Sequence, residues 1–547
     1  MSVKDNIYSS YLKGEKVDRP ETPSGIPIKE VYLPDDIKDL DYEQDLGMPG
    51  EFPFTRGVYP NMYRGRLWTR RSQVGFATPQ DTNERLKYLF KEGQTGFTLT
   101  IDLPTSYGFD SDDPICEGEV GVTGVALDTA EDLEAIFDGF SPDEVSCSLS
   151  IRPPVSAVTL SMLALLAERR GIPYSNVLGT QQNDPLFQMS GGPLQTTTQF
   201  FPLDGIIRLN QDIIEFMAKN FPKLNWMVTN AYNLRETGLS AVQEGAFALS
   251  HAFDIFRRAV KRGLDIDEFA PRASFFCSCG IDFFEEVAKF RAMRRIYART
   301  LKEEFGAKNA KSLKFRSSMQ TAGNSLTSQQ PLNNIVRTTV EALATIFSGL
   351  QSIQVASYDE GLGLPTEESS RISLRVQQIL GYETGVTQTA DPLAGSYYVE
   401  ALTNEMEKEI LALMDEVEKR GGLVECTRVG WLEQQIIDAR VKTQREIENE
   451  EKIVVGVNKF SIDEKEDADI RIHKINAKEW GEKRAEYLKK YRAIRNQKET
   501  DEALAKVTEV MKTDQNIIPN IMDALRAKAT LGEIHEAMRE ATGFSFR

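Results

Sequence analysis

The sequence predicts an α/β fold: a (β/α)8 TIM barrel with an extended N-terminal arm and a C-terminal helical extension. Three observations predict it. Between about residues 90 and 400, short β-type runs alternate with longer amphipathic stretches. Eight such runs occur, the number a barrel needs. Several of them place small hydroxyl residues two apart, as a strand with one polar face would. A doubly wound sheet is the runner-up for the same alternation.

Residues 1–50 are rich in Pro, Asp and Lys, lack periodicity and are expected to form the arm. Residues 51–400 are expected to form the barrel. They begin with a tract, 52–80, that has no acidic residue in a chain of formal net charge −17. The tract holds Arg56, Arg64, Arg66, Arg70 and Arg71, interleaved with Tyr59, Tyr63, Trp68 and Phe76. Guanidinium forks match phosphate oxygens, and flat rings suit a heterocycle or a thin apolar chain. The tract reads either as an anion site for a nucleotide-like cofactor such as coenzyme A or as a solvated basic loop.

The strand runs are 97–103, 146–152, 176–180, 224–230, 272–278, 313–320 and 352–358, with 385–390 as the weakest, eighth candidate. Residues 282–305 and 332–348 read as amphipathic helices between them. The hydroxyl positions are Thr98 and Thr100, then Ser146, Ser148 and Ser150, then Ser317 and Ser318. A Ser/Thr face makes a poor dry core. The outer face of a barrel strand packs on helices and should be apolar, so the hydroxyls are expected to line a polar channel along the axis.

Residues 401–547 are expected to be a helical linker and docking region. Stretches 405–421 and 431–450 read as charged helices, 478–512 as one long Lys/Glu-rich helix, and 518–541 as a helix interrupted at Gly532.

Composition narrows the function. The acidic balance argues against nucleic acid as the main partner. No apolar run is long enough to span a bilayer, and residues 1–13 lack the apolar core of a signal peptide, so a cytoplasmic location is expected. Cys116, Cys147, Cys277, Cys279 and Cys426 make no disulfide framework, and the Cys277/Cys279 pair reads as buried thiols. His251, His473 and His535 are scattered, with no metal-ligand spacing. Gly191-Gly192 and Gly361-Leu-Gly363 lack phosphate-loop spacing and read as turns.

Several motifs in order are recognisable: Tyr59-Pro-Asn-Met-Tyr-Arg-Gly-Arg-Leu-Trp-Thr69, Asp102-Leu-Pro-Thr105, Gly108-Phe-Asp-Ser-Asp112, Gly179-Thr-Gln-Gln-Asn-Asp184, Phe269-Ala-Pro-Arg-Ala-Ser-Phe-Phe276, Asn333-Asn-Ile-Val-Arg337, Asp391-Pro-Leu-Ala-Gly-Ser396 and Gly456-Val-Asn458. Together they resemble the large chain of the methylmalonyl-CoA mutase family, the adenosylcobalamin-dependent acyl-CoA mutases, from about residue 20 to 460. The resemblance implies a barrel that holds acyl-CoA along its axis and an isomerase that shifts the thioester carbonyl to a neighbouring carbon by radical chemistry. It places Tyr59, Met62, Arg66, Thr69 and Arg71 on the CoA path, continued by Thr98, Ser148, Ser150, Thr180, Asn225, Arg272 and Ser274. Gln351 and Ser352 fall beside substrate or cofactor, while Gln320, Glu360 and Thr123 fall on the cofactor side. The catalytic positions are Gln73, Gln182, Tyr232 and Asn233.

The family's cobalamin module carries an Asp-x-His-x-x-Gly motif, which does not occur here; His535 is followed by Glu-Ala-Met. The resemblance therefore implies the large subunit of a split mutase. A separate small subunit would supply the cobalt ligand and cap the barrel mouth, with a G-protein chaperone as a further partner. Three positions depart from the methylmalonyl enzymes. Gln73 stands for a tyrosine and Asn233 for a histidine. The carboxylate-clamping arginine is missing from 189–199, where Gln195 or Thr196 falls nearest its place. A buried carboxylate without a cation costs several kcal/mol or more, roughly. The expected substrate is therefore a short branched acyl-CoA without a free carboxylate, of the isobutyryl or 2-hydroxyisobutyryl type, with Gln73 and Gln181 placed to bond a hydroxyl. The alternatives are a methylmalonyl enzyme using Arg152 as a relocated clamp, or a non-catalytic CoA-binding homologue.

Overall fold

The structure is a computed structural model that describes residues 19–150, 154–186, 201–463 and 476–544. Its centre is a parallel sheet of nine segments in the order β1-β9-β8-β7-β6-β5-β4-β3-β2. These are β1 (Thr69–Arg71), β2 (Gln73–Val74), β3 (Gly96–Thr100), β4 (Ser146–Ser150), β5 (Gly179–Gln182), β6 (Leu224–Asn230), β7 (Ala273–Cys279), β8 (Ser317–Thr321) and β9 (Ser352–Gln354). β1 and β2 are two halves of one run, parted at Ser72. β1 pairs with β9 and β2 with β3, and Thr98 N–H donates to Ser72 O at 3.1 Å. The sheet thus closes on itself as a barrel.

A helix follows each strand: α1 (Pro79–Lys91), α2 (Ala130–Ile136), α3 (Val155–Arg169), α4 (Leu203–Asn220), α5 (Ala241–Lys261), α6 (Phe283–Glu303), α7 (Asn333–Phe347) and α8 (Glu367–Tyr382). Their starts are written in the sequence. Thr78 and Asp81 form a capping box at α1, and Ser240 with Gln243 does the same at α5. The expected barrel is therefore present, but its eighth strand is misplaced in the sequence reading. Residues 385–390 form turns. The missing strand is 69–74, inside the arginine tract.

The barrel's two faces divide as expected. Phe97, Leu99, Cys147, Leu149, Trp226 and Phe275 are buried, facing the helices. Trp226 packs on Phe256 and Phe269, with Nε1 donating to Phe269 O at 3.1 Å. Strands approach closely at Gly179, which opens β5 with φ +138; a Cβ there would lie 2.2 Å from Cys147 O. Gly179→Ala is expected to destabilise the protein by about 2–3 kcal/mol, through a conformation L residues avoid plus overpacking. A denaturant melt checks this; an unchanged midpoint would refute it.

Around the barrel, α6 buries a row of arginines instead of presenting them to solvent. Arg291 pairs with Asp391 at 2.7 Å and Glu400 at 2.6 Å. Arg294 donates to Phe54 O and Thr55 O, and Arg299 pairs with Asp45 at 2.9 Å, which stitches the arm to the barrel. The arm itself, from residue 19, holds a β-bridge between Glu21 and Pro27 and short helical turns at Pro34–Ile37 and Tyr42–Leu46.

The C-terminal extension comprises α9 (Tyr397–Lys419), α10 (Trp431–Glu448), α11 (Ala477–Ala493), α12 (Gln497–Met511), α13 (Ile518–Arg526) and α14 (Leu531–Ala541). The single helix expected at 478–512 is two, broken at 494–496. The break in 518–541 falls at 527–530, where Lys528 has φ +62, not at Gly532. Gly532 lies inside α14, and its N–H donates to Asp110 at 2.7 Å. α13 packs on α3. Among the described residues, no helix is long and apolar enough to cross a membrane.

Candidate active site

Strand register puts the hydroxyl and amide residues on the barrel's inner face. Gln73, Thr98, Ser148, Thr180 and Asn225 lie side by side on consecutive strands. Arg71, Gln354, Gln320 and Ser278 form a second row, and Thr69, Ser352, Ser318 and Phe276 a third. Ser317 is a correction: it pairs with Phe275 on the helix-facing side, and only Ser318 faces inward. Gln181 is another. Its Nε2 donates to Thr159 of α3 at 3.4 Å, outside the barrel, so it cannot meet a ligand on the axis.

Arg71 is the one cation among the described inward-facing strand residues. It is buried, and its partners are neutral: Nε donates to Ser352 Oγ at 2.9 Å, and the terminal nitrogens donate to Phe97 O at 2.7 Å and Ser146 Oγ at 2.6 Å. Burial pulls its pKa down to about 10. A guanidinium left without a carboxylate here fits an anionic or strongly polar ligand. Four buried polar atoms along the same face, Thr100 Oγ1, Gln182 Oε1, Asn225 Oδ1 and Gln354 Oε1, have no hydrogen-bond partner among the described residues. They fit the amides and thioester of a threaded acyl chain.

At the N-terminal end of the strands, Tyr59 and Arg272 line a cleft of about 380 Å³ together with Lys311, Arg316 and Trp226. Lys314 Nζ stands 5.5 Å from the Tyr59 ring centre. Burial, reinforced by Arg316, lowers the Arg272 pKa. None of Arg272, Lys311, Lys314 and Arg316 makes an ion pair with a described residue. Four free cations beside an aromatic ring suit the phosphates and base of a nucleotide. The sequence reading missed three of them; the signal was the cluster Lys311, Lys314, Arg316 just before β8.

The C-terminal end is built of amides and carboxyls. Gln73 Nε2 and Gln354 Nε2 both donate to Gln320 Oε1, at 2.9 and 2.7 Å. Gln320 Nε2 faces Glu360 Oε1 at 3.4 Å, and Ser357 N–H donates to Glu360 Oε2 at 3.2 Å. Burial pushes Glu360 up to about 7. Glu236, missed in the sequence, also rises to about 7 by burial; it accepts from Asn324 N at 2.6 Å and Ser278 Oγ at 3.3 Å. Tyr232 is buried against Phe276 with ring centres 5.1 Å apart. Burial, then the fields of Glu236, Glu360 and Glu341, raise its pKa well above the ordinary value, so it stays a neutral donor. Asn233 lies in the same turn, its N–H held by Asn230 Oδ1 at 3.1 Å. Asp184 fixes that turn by accepting from Asn230 N–H at 2.6 Å and pairing with buried His251 at 2.9 Å.

Other expected residues sit apart. Met62 is buried against Gly57 and Gly349. Both ends of the Gln351 amide are taken by backbone, at Ser317 N–H and Gly349 O. Ser274 is satisfied by Trp226 O at 3.1 Å. Arg66 is exposed just before β1, and Thr123 is exposed in the long excursion after β3. Gln195, Thr196 and Arg152 lie outside the described residues, as does the Ser150 side chain. Of the tract's other arginines, Arg56 pairs with Asp391 at 3.2 Å and Arg70 donates to Gly93 O.

No described histidine fits a cobalt ligand. His251 is held by Asp184. His535 is buried against Phe201 and Gly108, and burial lowers its pKa to about 3. The described residues contain no cluster that could hold a metal ion. The mouth amides and Glu360 do fit a polar, hydroxyl-bearing group.

Comparison with known proteins gives the family. The family model for methylmalonyl-CoA mutase matches residues 21–544. The 2-hydroxyisobutanoyl-CoA mutase large subunit of Aquincola tertiaricarbonis is 40% identical over 541 residues, 98% of this chain and 95% of that protein. Human mitochondrial methylmalonyl-CoA mutase is 40% identical over 523 residues, 95% of this chain and 68% of that protein. The methylmalonyl-CoA mutase of Rhizobium meliloti is 39% identical over 523 residues, 95% and 72%. The chain thus belongs to the methylmalonyl-CoA mutase family of adenosylcobalamin-dependent acyl-CoA mutases, which are isomerases.

Proposed function

We propose that this chain is the substrate-binding large subunit of a split mutase that rearranges a short branched acyl-CoA without a free carboxylate, of the isobutyryl or 2-hydroxyisobutyryl type. Identity does not choose the substrate, since hydroxyacyl and methylmalonyl enzymes match this chain equally well. The observation that carries the choice is the chemistry of the mouth. Gln73 bonds Gln320, behind which stand Gln354 and the carboxyl of Glu360, and the carboxyl of Glu236 stands by Ser278 in the same row as Gln320. Arg235, the nearby cation of the Tyr232 turn, is spent on Glu286 and Glu244. Among the described residues a carboxylate there would face acceptors.

In this reading the barrel, 51–400, binds acyl-CoA. Arg66, Arg71, Arg272, Lys311 and Arg316 hold its anionic handle, and Thr69, Thr98, Ser148, Thr180 and Asn225 flank its chain. Gln182, Tyr232 and Asn233 donate to the thioester oxygen. An amide donor does not titrate, so that role is independent of pH. The barrel wall keeps water from the reacting carbons. Gln320, Glu360 and Thr123 would hold the adenosyl side of adenosylcobalamin, which supplies carbon-centred radical chemistry when bound. A small subunit would bring the cobalt ligand, docking on residues 401–547.

The test reconstitutes the chain with a cobalamin-binding small subunit and adenosylcobalamin, then assays isobutyryl-, 2-hydroxyisobutyryl- and methylmalonyl-CoA. An uncharged acyl-CoA is expected to exceed methylmalonyl-CoA in kcat/KM by about 100-fold or more. Equal or faster turnover of methylmalonyl-CoA would overturn the substrate reading. No cobalt(II) signal with any acyl-CoA would favour a non-catalytic CoA-binding protein.

A further inference from the structure

The amides at the mouth have a direction, and it is set from one end. Either orientation of a glutamine amide fills the same space, so only its neighbours decide which atom faces where. An ionised carboxylate accepts and does not donate. Glu360 therefore requires the Gln320 atom facing it, at 3.4 Å, to be Nε2. That leaves Gln320 Oε1 on the other side, where its two lone pairs receive Gln354 Nε2 at 2.7 Å and Gln73 Nε2 at 2.9 Å. Gln320 and Gln354 are buried, 1% and 4% exposed, so neither has water as a substitute partner. Gln73 is the exposed end of the chain. With its nitrogen turned to Gln320, its carbonyl oxygen is turned away from Gln320.

We propose that the Glu360–Gln320 pair, steadied by Gln354, fixes the Gln73 amide with its oxygen toward the acyl group, so that the site selects an acyl-CoA carrying a hydroxyl. This rests on the reading that the acyl group sits beside Gln73. A hydroxyl donates to Gln73 Oε1. A hydrogen in its place, as in isobutyryl-CoA, leaves that oxygen dry and unpaired, which costs more than the bond itself is worth. A carboxylate meets an acceptor. Glu360, Gln320 and Gln354 are positioning residues here, acting through Gln73. The arrangement also predicts its own pH dependence. Protonated Glu360 carries an O–H and can face the oxygen of Gln320, which lets the whole chain reverse. Glu360 sits at about 7, so the hydroxyl preference is present above that pH and fades below it. The ionisable groups whose fields reach Glu360 are Asp359 beside it and Tyr232 and Glu236 from the turn after β6. Glu236, itself near 7, broadens the transition.

The test measures binding to the full chain by calorimetry, with no turnover required. The probes are 2-hydroxyisobutyryl-CoA, isobutyryl-CoA, methylmalonyl-CoA and CoA alone, at pH 8 and pH 6. The hydroxyacyl thioester is expected to bind about tenfold more tightly than isobutyryl-CoA at pH 8, with most of that ratio lost at pH 6. Gln73→Leu and Glu360→Gln should each flatten the ratio at pH 8 while CoA alone binds as before, which also reports that the variants fold. Equal affinities for the two uncharged thioesters, both above methylmalonyl-CoA, would overturn the selector and leave the proposed function standing. A ratio unmoved by pH and by Glu360→Gln would overturn the role of Glu360. Tightest binding of methylmalonyl-CoA would overturn the proposed function and the selector with it.

Discussion

Replacing Arg71 by methionine is expected to weaken acyl-CoA binding by about 10- to 100-fold, the size of one charge-assisted contact, while thermal stability stays within roughly 1 kcal/mol of the native chain. The two effects separate because of what surrounds the guanidinium. It is buried, its pKa is already drawn down to about 10 by desolvation, and its hydrogen-bond partners are two serine hydroxyls and two peptide oxygens. In the free protein its burial is therefore opposed by lost hydration and only partly offset by neutral acceptors. Methionine has similar length, removes that opposition and gives up those hydrogen bonds, so the two changes nearly cancel. A polar or anionic part of the ligand is what makes the charge favourable. Arg71→Lys keeps the charge but not the fork that reaches Ser352 and Ser146 together, and should fall between. Calorimetry with CoA and a thermal melt on each variant check this. A melt that drops in proportion to the lost affinity would mean that Arg71 is structural.

The arginine tract also shows how far the sequence could be read. Its lack of acids raises the expectation of an anion site, which the carboxylate-free Arg71 fits, and the serines and threonines at period two mark a polar inner face. Both are features of composition and spacing, which a single chain displays. The tract was not read as a strand because the strand is two short pieces, Thr69–Arg71 and Gln73–Val74, and its inward residues are a threonine, an arginine and a glutamine instead of branched apolar ones. The run at 385–390, which forms turns, carries the stronger local strand signal. Residues whose meaning depends on a partner far along the chain were also invisible. Gln354 and Gln320 are 34 positions apart, and Arg291 and Glu400 are 109 apart. Read locally, α6 is an amphipathic helix with surface arginines; only the fold brings Asp391, Glu400 and Glu407 over them. The helix breaks at 494–496 and 527–530 contain neither proline nor glycine; the local signal at the second is the capping box of Thr530 and Glu533, which opens α14.

Arg484→Met is expected to cost about 3–5 kcal/mol, because it strips the cation from two buried carboxylates. Arg484 on α11 is 3% exposed; it donates to Asp128 at 2.9 Å and to Asp132 at 2.6 and 2.9 Å. Burial works against its charge, but Asp132 and Asp128 outweigh it and raise its pKa above the ordinary value. Asp128 has other duties, accepting from Ser111 N–H at 2.7 Å, and Asp132 closes the capping box of α2, so neither can turn away to water when the arginine is gone. The cost should appear locally before it appears globally. The pair Arg492–Asp110 at 2.8 Å, the buried bond from Thr530 to Asp110 and the packing of His535 on Gly108 join the same helices to the same excursion after β3. Losing Arg484 weakens the whole α11–α14 unit against the barrel while the strands and their hydrogen bonds are untouched. A denaturant melt should therefore split, with protease cutting near residue 476 in the first phase and barrel tryptophan fluorescence changing in the second. Adding Asp128→Asn to Arg484→Met removes one of the stranded charges and should recover part of the loss, about 1–2 kcal/mol by the coupling expected of neighbours in one network. A single cooperative melt at the native midpoint would show that α11 is held by its apolar face instead. Because the excursion after β3 also carries Thr123, a loosened α11–α14 unit should leave CoA affinity intact at the far end of the barrel and reduce only the binding of the cobalamin subunit. That contrast distinguishes an undocked extension from a damaged barrel.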